Sequence, residues 1–176
     1  TSQNPHLSRL IMSAFGKAKK ALIFDCDNTL WRGVLGEDGY ENINMSMRTK
    51  EGFIFTEIQS LALSLHRQGV LIGLCSKNNY EDIELVIKSH PDMQLRNKHL
   101  AIKRVNWSDK TSNLLSISKE LNIGLDSIVF IDDSSFEVNL IKESLPDVTV
   151  IQVPKNLYEY PKLFRENMEL FFNLSI

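Results

Sequence analysis

Ala21-Leu22-Ile23-Phe24-Asp25-Cys26-Asp27-Asn28-Thr29-Leu30 is the stretch on which the fold turns. Four apolar residues run unbroken into an aspartate, and a polar burst follows. An apolar run this short reads as a strand covered on both faces. Val70 to Cys75 behaves the same way and closes on Ser76-Lys77-Asn78; Ser127 to Ile131 does so again and closes on Asp132-Asp133-Ser134-Ser135. A weak strand is predicted at 100–105 and a last strand at 148–153.

Helical spacing fills the gaps between these runs. Ile54, Ile58, Leu61 and Leu65 lie on one face and stop at Gly69. Ile83, Val86 and Ile87 supply the buried face of a helix that starts at Asn79 and ends before Pro91. Leu114, Ile117 and Leu121 mark a helix from near Ser108 that Gly124 ends, and another spans 135–144. From Pro161 to Phe172 the chain reads as a C-terminal helix. Trp31 to Ile43, with Gly33, Gly36 and the pair Asp38-Gly39, reads as a small flap containing a hairpin. Strands alternating with amphipathic helices predict a three-layer α/β/α sandwich around a parallel sheet. A single domain is expected over 1–176, its core at about 20–154, with segments 1–19 and 155–176 packed on it.

The composition suits a compact globular domain: 176 residues, 43% apolar and 24% charged. Twenty basic against 22 acidic residues leave a net charge of -2, which excludes a general electrostatic drive toward nucleic acid or anionic lipid. Neither nucleic acid nor a membrane is expected as a partner, since no apolar run approaches the roughly 18 residues that span a bilayer. Two cysteines make no disulfide framework, so a reducing, cytoplasmic setting is expected.

In a parallel sheet the residues just past the carboxyl ends of the strands meet in one crevice. There the three polar bursts bring together Asp25, Asp27, Asp132 and Asp133. Carboxylates so crowded repel one another, and a hard cation with oxygen ligands relieves them; magnesium, which pairs with substrate phosphate, fits. Asp25 can act as a nucleophile toward phosphorus and Asp27 as general acid and base. Ser76 can donate to a phosphoryl oxygen, and Lys110, opening its helix beside Asp109, can neutralise phosphate charge. Thr29, Arg32, Lys77 and Asn78 are the candidate substrate contacts, Arg32 and Lys77 for a second anionic group.

The ordered set of Phe-Asp-x-Asp-x-Thr-Leu after the first strand, Ser after the second, Lys opening a later helix and Ile-Asp-Asp after another strand resembles the haloacid dehalogenase superfamily over about 21–154. The resemblance implies Asp25 as the nucleophile of an aspartyl-phosphate, Asp27 as acid/base, Ser76 and Lys110 as phosphate binders, and Asp132 as the main outer ligand of Mg2+. It adds the backbone carbonyl of Asp27 as a ligand, and leaves Asp133 either a ligand or an orienting partner of Lys110. Three longer stretches, 27–39, Cys75-Ser76-Lys77-Asn78 and 104–110, look like the FkbH-like branch. That branch implies a glyceryl phosphate processed for transfer to an acyl carrier protein.

The chain offers room only for the phosphatase-like unit, and neither the stretch from Thr29 to Ser76 nor that from Ser76 to Lys110 has space for a large cap. A capless site admits a phosphorylated small molecule or a carrier-bound substrate. The alternatives are a general capless magnesium-dependent phosphatase acting on a sugar phosphate or phosphoprotein, and a non-enzymatic binding module. Cys75 reads as a small buried hydrophobe, against a thioester site suggested by the branch, and Cys26 as structural. Trp31 and Trp107 adjoin the crevice as packing residues or as its lining.

Overall fold

The computed structural model of the chain describes residues 17–172. The expectations for 1–16 and 173–176 lie outside the described residues. Five parallel strands form the sheet: β1 (Ala21–Phe24), β2 (Leu71–Ser76), β3 (Leu100–Val105), β4 (Ile128–Asp132) and β5 (Thr149–Gln152). Their order is β3-β2-β1-β4-β5, so β1 lies between the two strands that carry the other polar bursts. Phe24 is level with Leu74 on one side and Ile131 on the other, which sets Asp25 at the same height as the end of β4.

The apolar runs are unbroken because both faces of the central strands are covered. Leu22, Phe24, Leu74 and Ile131 pack with Ile54, Phe55 and Ile58 of α2 (Lys50–Arg67) and Ile83, Val86 and Ile87 of α3 (Tyr80–Ser89). Tyr160 and Phe164 of α6 (Tyr160–Asn167) complete that layer. Ala21, Ile23, Cys75 and Phe130 face the other way, onto Leu114 and Ile117 of α4 (Lys110–Leu121) and Ile141 of α5 (Ser135–Ser144). β3, read as weak, is an edge strand with Ile102 and Val105 buried and the rest partly open. The three-layer α/β/α expectation therefore holds.

Polar side chains fix where the helices start. The Thr49 hydroxyl accepts from Gly52 N, Asp109 from Ser112 N at 2.8 Å, and Ser134 from Glu137 N at 3.3 Å. Asn79 stands at the cap of α3, but its side chain accepts no capping bond. Helix α4 ends at Asn122 rather than Gly124. Asn122 takes the left-handed conformation (φ 54°) that asparagine tolerates better than most residues. The C-terminal helix is α6 followed by a 3-10 turn over Met168–Phe171.

The hairpin expected in the flap is absent. Its place is taken by a one-turn helix, α1 (Leu35–Asp38), with single bridges pairing Asp27 with Trp31 and Arg32 with Asn44. The cause is local. Asp38 turns its carboxylate back onto Val34 N at 2.7 Å, and a side chain that satisfies its own backbone in this way competes with a strand ladder. Asp38-Gly39 thus closes a helical turn. Among the described residues no helix is long and apolar enough to cross a membrane.

One long-range bond anchors the segment after β1. The buried Tyr160 hydroxyl, on α6, donates to the carbonyl of Thr29 at 2.9 Å. Tyr160→Phe leaves that carbonyl buried and unpaired, so stability falls by about 1 to 3 kcal/mol. Urea unfolding of the two proteins measures the loss, with the slope unchanged.

Candidate active site

Asp25 continues the line of β1, its N–H donating to Ile131 O at 2.9 Å. The chain then winds tightly. The carbonyl of Cys26 accepts from Thr29 N and Leu30 N, and Asn28 adopts φ 55°, its side chain accepting from Gly33 N at 2.9 Å. This winding aims Asp27 sideways and surrounds its carboxylate with donors. Oδ1 accepts from Leu35 N at 2.9 Å and from the Trp31 indole at 3.2 Å, while Oδ2 accepts from Asn78 Nδ2 at 2.9 Å. The same Asn78 amide donates to Ser76 Oγ at 3.1 Å. Asn78 therefore ties the second burst to the first.

Lys110 lies at the centre. Its Nζ is 2.6 Å from Asp132 Oδ2 and 3.4 Å from Asp25 Oδ1, and all three side chains are almost fully buried. Burial pushes the Asp25 carboxyl well above its ordinary range while the Lys110 ammonium pulls it back; Asp132 and Asp133 push it up further. Asp133 rises to about 6, by burial and then by the neighbouring Asp132 charge. Burial works against the charge on Lys110, but Asp25 and Asp132 outweigh it and its pKa is raised. The lysine stays charged because two carboxylates need it.

Asp25, Asp132 and Asp133 offer oxygen atoms that all lie within 4.8 Å of one another. A set made only of carboxylate oxygens, at two adjacent strand ends, suits a hard divalent cation. The ion pairs of Lys110 run to Asp25 and Asp132, so the arrangement favours the ligand reading of Asp133 over the orienting one.

The crevice gathers Asp25, Asp27, Ser76, Asn78, Lys110, Asp132 and Asp133. It does not gather all the predicted substrate contacts. Thr29 is fully enclosed, its Oγ1 without a partner, so it belongs to the packing beneath the turn. Asn78 is taken up by Asp27 and Ser76 and acts as a brace. Arg32 stays at the surface in an ion pair with Glu51 at 3.1 Å, and Lys77 pairs with Glu137, also at 3.1 Å. Trp31 is buried with its ring N–H on Asp27; Trp107 is exposed. Glu137 escaped the sequence reading. Its spacing from Ser134 looks like an ordinary helix start, and only its burial singles it out.

Both cysteines are fully buried. Cys75 packs against α4, its Sγ 4.0 Å from Lys110 O, and burial pushes its thiol up to about 12. This overturns the thioester reading of Cys75, because a thiol that is enclosed and protonated cannot attack an acyl group. Burial, with Asp25 beside it, also pushes Cys26 well above the usual thiol range.

The parallel α/β sheet that carries this lysine-bridged carboxylate cluster at its switch point is a fold shared with solved structures. The chain is similar to the N-terminal part of the protein BF1531 from Bacteroides fragilis, which contains a phosphatase domain and is complexed with Mg, at 37% identity and a TM-score of 0.89. That match takes in 96% of this chain and 45% of the other, so the chain spans under half of that relative. The HAD family enzyme BT-2542 from Bacteroides thetaiotaomicron, a magnesium complex, shares the fold at 16% identity and a TM-score of 0.58, over 85% of this chain and 100% of that one. A predicted HAD-like family hydrolase from Porphyromonas gingivalis does so at 12% identity and a TM-score of 0.58, over 84% and 97%. No family model matches the sequence, and no curated protein does. The chain therefore has the fold of these HAD family proteins, and nearly all of it is similar to the N-terminal part of the Bacteroides fragilis protein.

The enclosure of both thiols has a direct readout. The native protein will react with no equivalent of a colorimetric disulfide reagent, and two thiols will titrate once guanidinium unfolds it. One fast-reacting thiol in the native state would show Cys75 or Cys26 open to solvent.

Proposed function

We propose that the chain is a magnesium-dependent phosphatase or phosphotransferase working through an aspartyl-phosphate on Asp25. The observation that carries this reading is Asp25 itself, buried at the end of β1, 3.4 Å from the Lys110 ammonium and grouped with Asp132 and Asp133. Magnesium is the ion in the similar Bacteroides fragilis phosphatase domain, and the oxygen-only donor set of this chain fits it. Asp25, Asp132, Asp133 and the carbonyl of Asp27 would hold the ion. When bound, it neutralises phosphoryl charge.

The chain's own groups divide the work. An Asp25 carboxylate oxygen attacks phosphorus; the bond from phosphorus to the leaving oxygen breaks, and protonated Asp27 gives that oxygen its proton. Water then attacks the phosphoryl group, Asp27 takes the proton, and the bond to Asp25 breaks to release phosphate. Leu35 N, Trp31 and Asn78 fix the Asp27 carboxylate, so it meets both oxygens from one position. Ser76 and Lys110 take the equatorial phosphoryl oxygens.

The FkbH-like motifs extend the proposal to a three-carbon glyceryl phosphate. A thiolate of an acyl carrier protein attacks the acyl carbon of the acyl phosphate and expels that phosphate. Asp25 takes the phosphoryl group from a phosphate ester on the same three-carbon unit, and the freed oxygen receives its proton from Asp27. With Cys75 enclosed, the acyl-accepting thiol belongs to that partner. The small flap and the absence of room for a cap between β2 and α4 support a site open to such a carrier. Release of phosphate from a glyceryl acyl phosphate, with and without carrier protein, separates this reading from a general capless phosphatase. Only transfer leaves a hydroxylamine-labile mass on the carrier.

Turnover of an aryl phosphate should require magnesium, stop in EDTA, and be lost in Asp25→Asn, which keeps the shape and removes the nucleophilic charge. Lys110→Ala should lower turnover by a factor of about a hundred or more. Steady-state phosphate release measures both. Wild-type rates in either variant would overturn the assignment of that residue.

A further inference from the structure

Glu137 lies in the first turn of α5, just past Asp132 and Asp133. Only 8% of it is exposed; Oε1 meets the Lys77 ammonium at 3.1 Å, and Oε2 is enclosed with no hydrogen-bond partner. Burying a carboxylate with one oxygen unpaired is costly, and a single ion pair does not offset it. Nor does Glu137 serve its own helix. A glutamate at this position would ordinarily reach back to the backbone N–H of the capping serine. Here Ser134 N already donates to Asp132 Oδ1 at 3.0 Å. The carboxylate turns inward, where its charge acts on Lys110.

Lys77 arrives from the opposite side. It follows Ser76 at the end of β2, while Glu137 follows the end of β4, and β1 lies between those strands. The pair thus bridges the ends of both neighbours of the nucleophile strand. About a third of the Lys77 side chain is exposed. Asp109 at the cap of α4, held ionised chiefly by the Ser112 N–H and hydroxyl, also feels the Lys77 charge. The ammonium is thus fixed at the first turn of α5, and its charge reaches the cap of α4, the helix that carries Lys110.

We propose that Glu137 is a positioning residue that holds the Lys77 ammonium across the end of β1, where Lys77 is a second cation for bound phosphate beside Lys110. This rests on the phosphatase reading and adds a member to its anion site. A simple surface ion pair would contribute little, about 0 to 1 kcal/mol, and its loss would leave phosphate binding alone. Stripping a negative charge from beside an anion site would by itself tighten binding. Positioning predicts the opposite sign.

The test is competitive inhibition of aryl phosphate turnover by inorganic phosphate, with magnesium present, in wild type, Glu137→Gln, Lys77→Gln and the double variant. Each single change should raise the inhibition constant about fivefold or more, the scale of one charge-assisted hydrogen bond. The double variant should be no weaker than the weaker single, because the two residues act as one device. An unchanged or lower constant in Glu137→Gln overturns the proposal, and so do losses that simply multiply. If Glu137→Gln gives no folded protein, Glu137→Asp, which keeps the charge and retracts it by one methylene, is expected to show the same rise. A wild-type protein that turns over no aryl phosphate overturns the phosphatase reading and this inference with it.

Discussion

The structure depends on one buried ammonium. Asp25 and Asp132 end adjacent strands and are almost fully buried, and Lys110 from a third element sets its ammonium against both carboxyl groups. Remove the lysine, and burial raises the free energy of ionised carboxylates that the sheet cannot move apart, because the parallel ladders fix their separation. The need for charge balance therefore sets where α4 begins. Asp109 caps that helix and Lys110 is its first residue, so the turn that starts the helix also delivers the cation.

The same balance underlies the reactivity that we propose for the site. A carboxyl whose pKa burial has raised is a stronger base and nucleophile once ionised than one in water. Lys110 opposes the rise that burial imposes on Asp25, while Asp27 is held by three donors of its own. Two aspartates separated by one residue thus acquire different environments from a single turn, and Asn28 makes that turn by accepting a left-handed backbone.

Most of this was legible in the sequence because the strands are buried on both faces and announce themselves as apolar runs ending in charge. The sheet, Asp25, Asp27, Ser76, Lys110 and the Asp132-Asp133 pair could all be read that way. The errors share a cause, which is short-range polar bonding that periodicity does not report. Asp38 folds back on Val34 and turns a hairpin signal into a helical turn. Asn122 ends α4 two residues before the glycine that seemed to end it. Asn78 and Thr29 carry the polar chemistry of substrate contacts, yet one is consumed as a brace and the other is sealed beneath the turn. Glu137 was invisible for the opposite reason, since its sequence position mimics a helix cap and its burial depends on where Lys77 lands.

The bond between Tyr160 and Thr29 also bears on the order of assembly. It joins residues 131 positions apart, so the turn carrying Asp27 is clamped from a helix synthesised long after it. A ribosome-bound chain that has emerged through β5 already owns every strand of the sheet, and its local contacts can form as it emerges. The clamp over the Asp27 turn closes only when α6 docks. A stalled nascent chain that lacks α6 therefore carries the Asp27 turn with its nearby braces, Leu35, Trp31 and Asn78, but without the distant one.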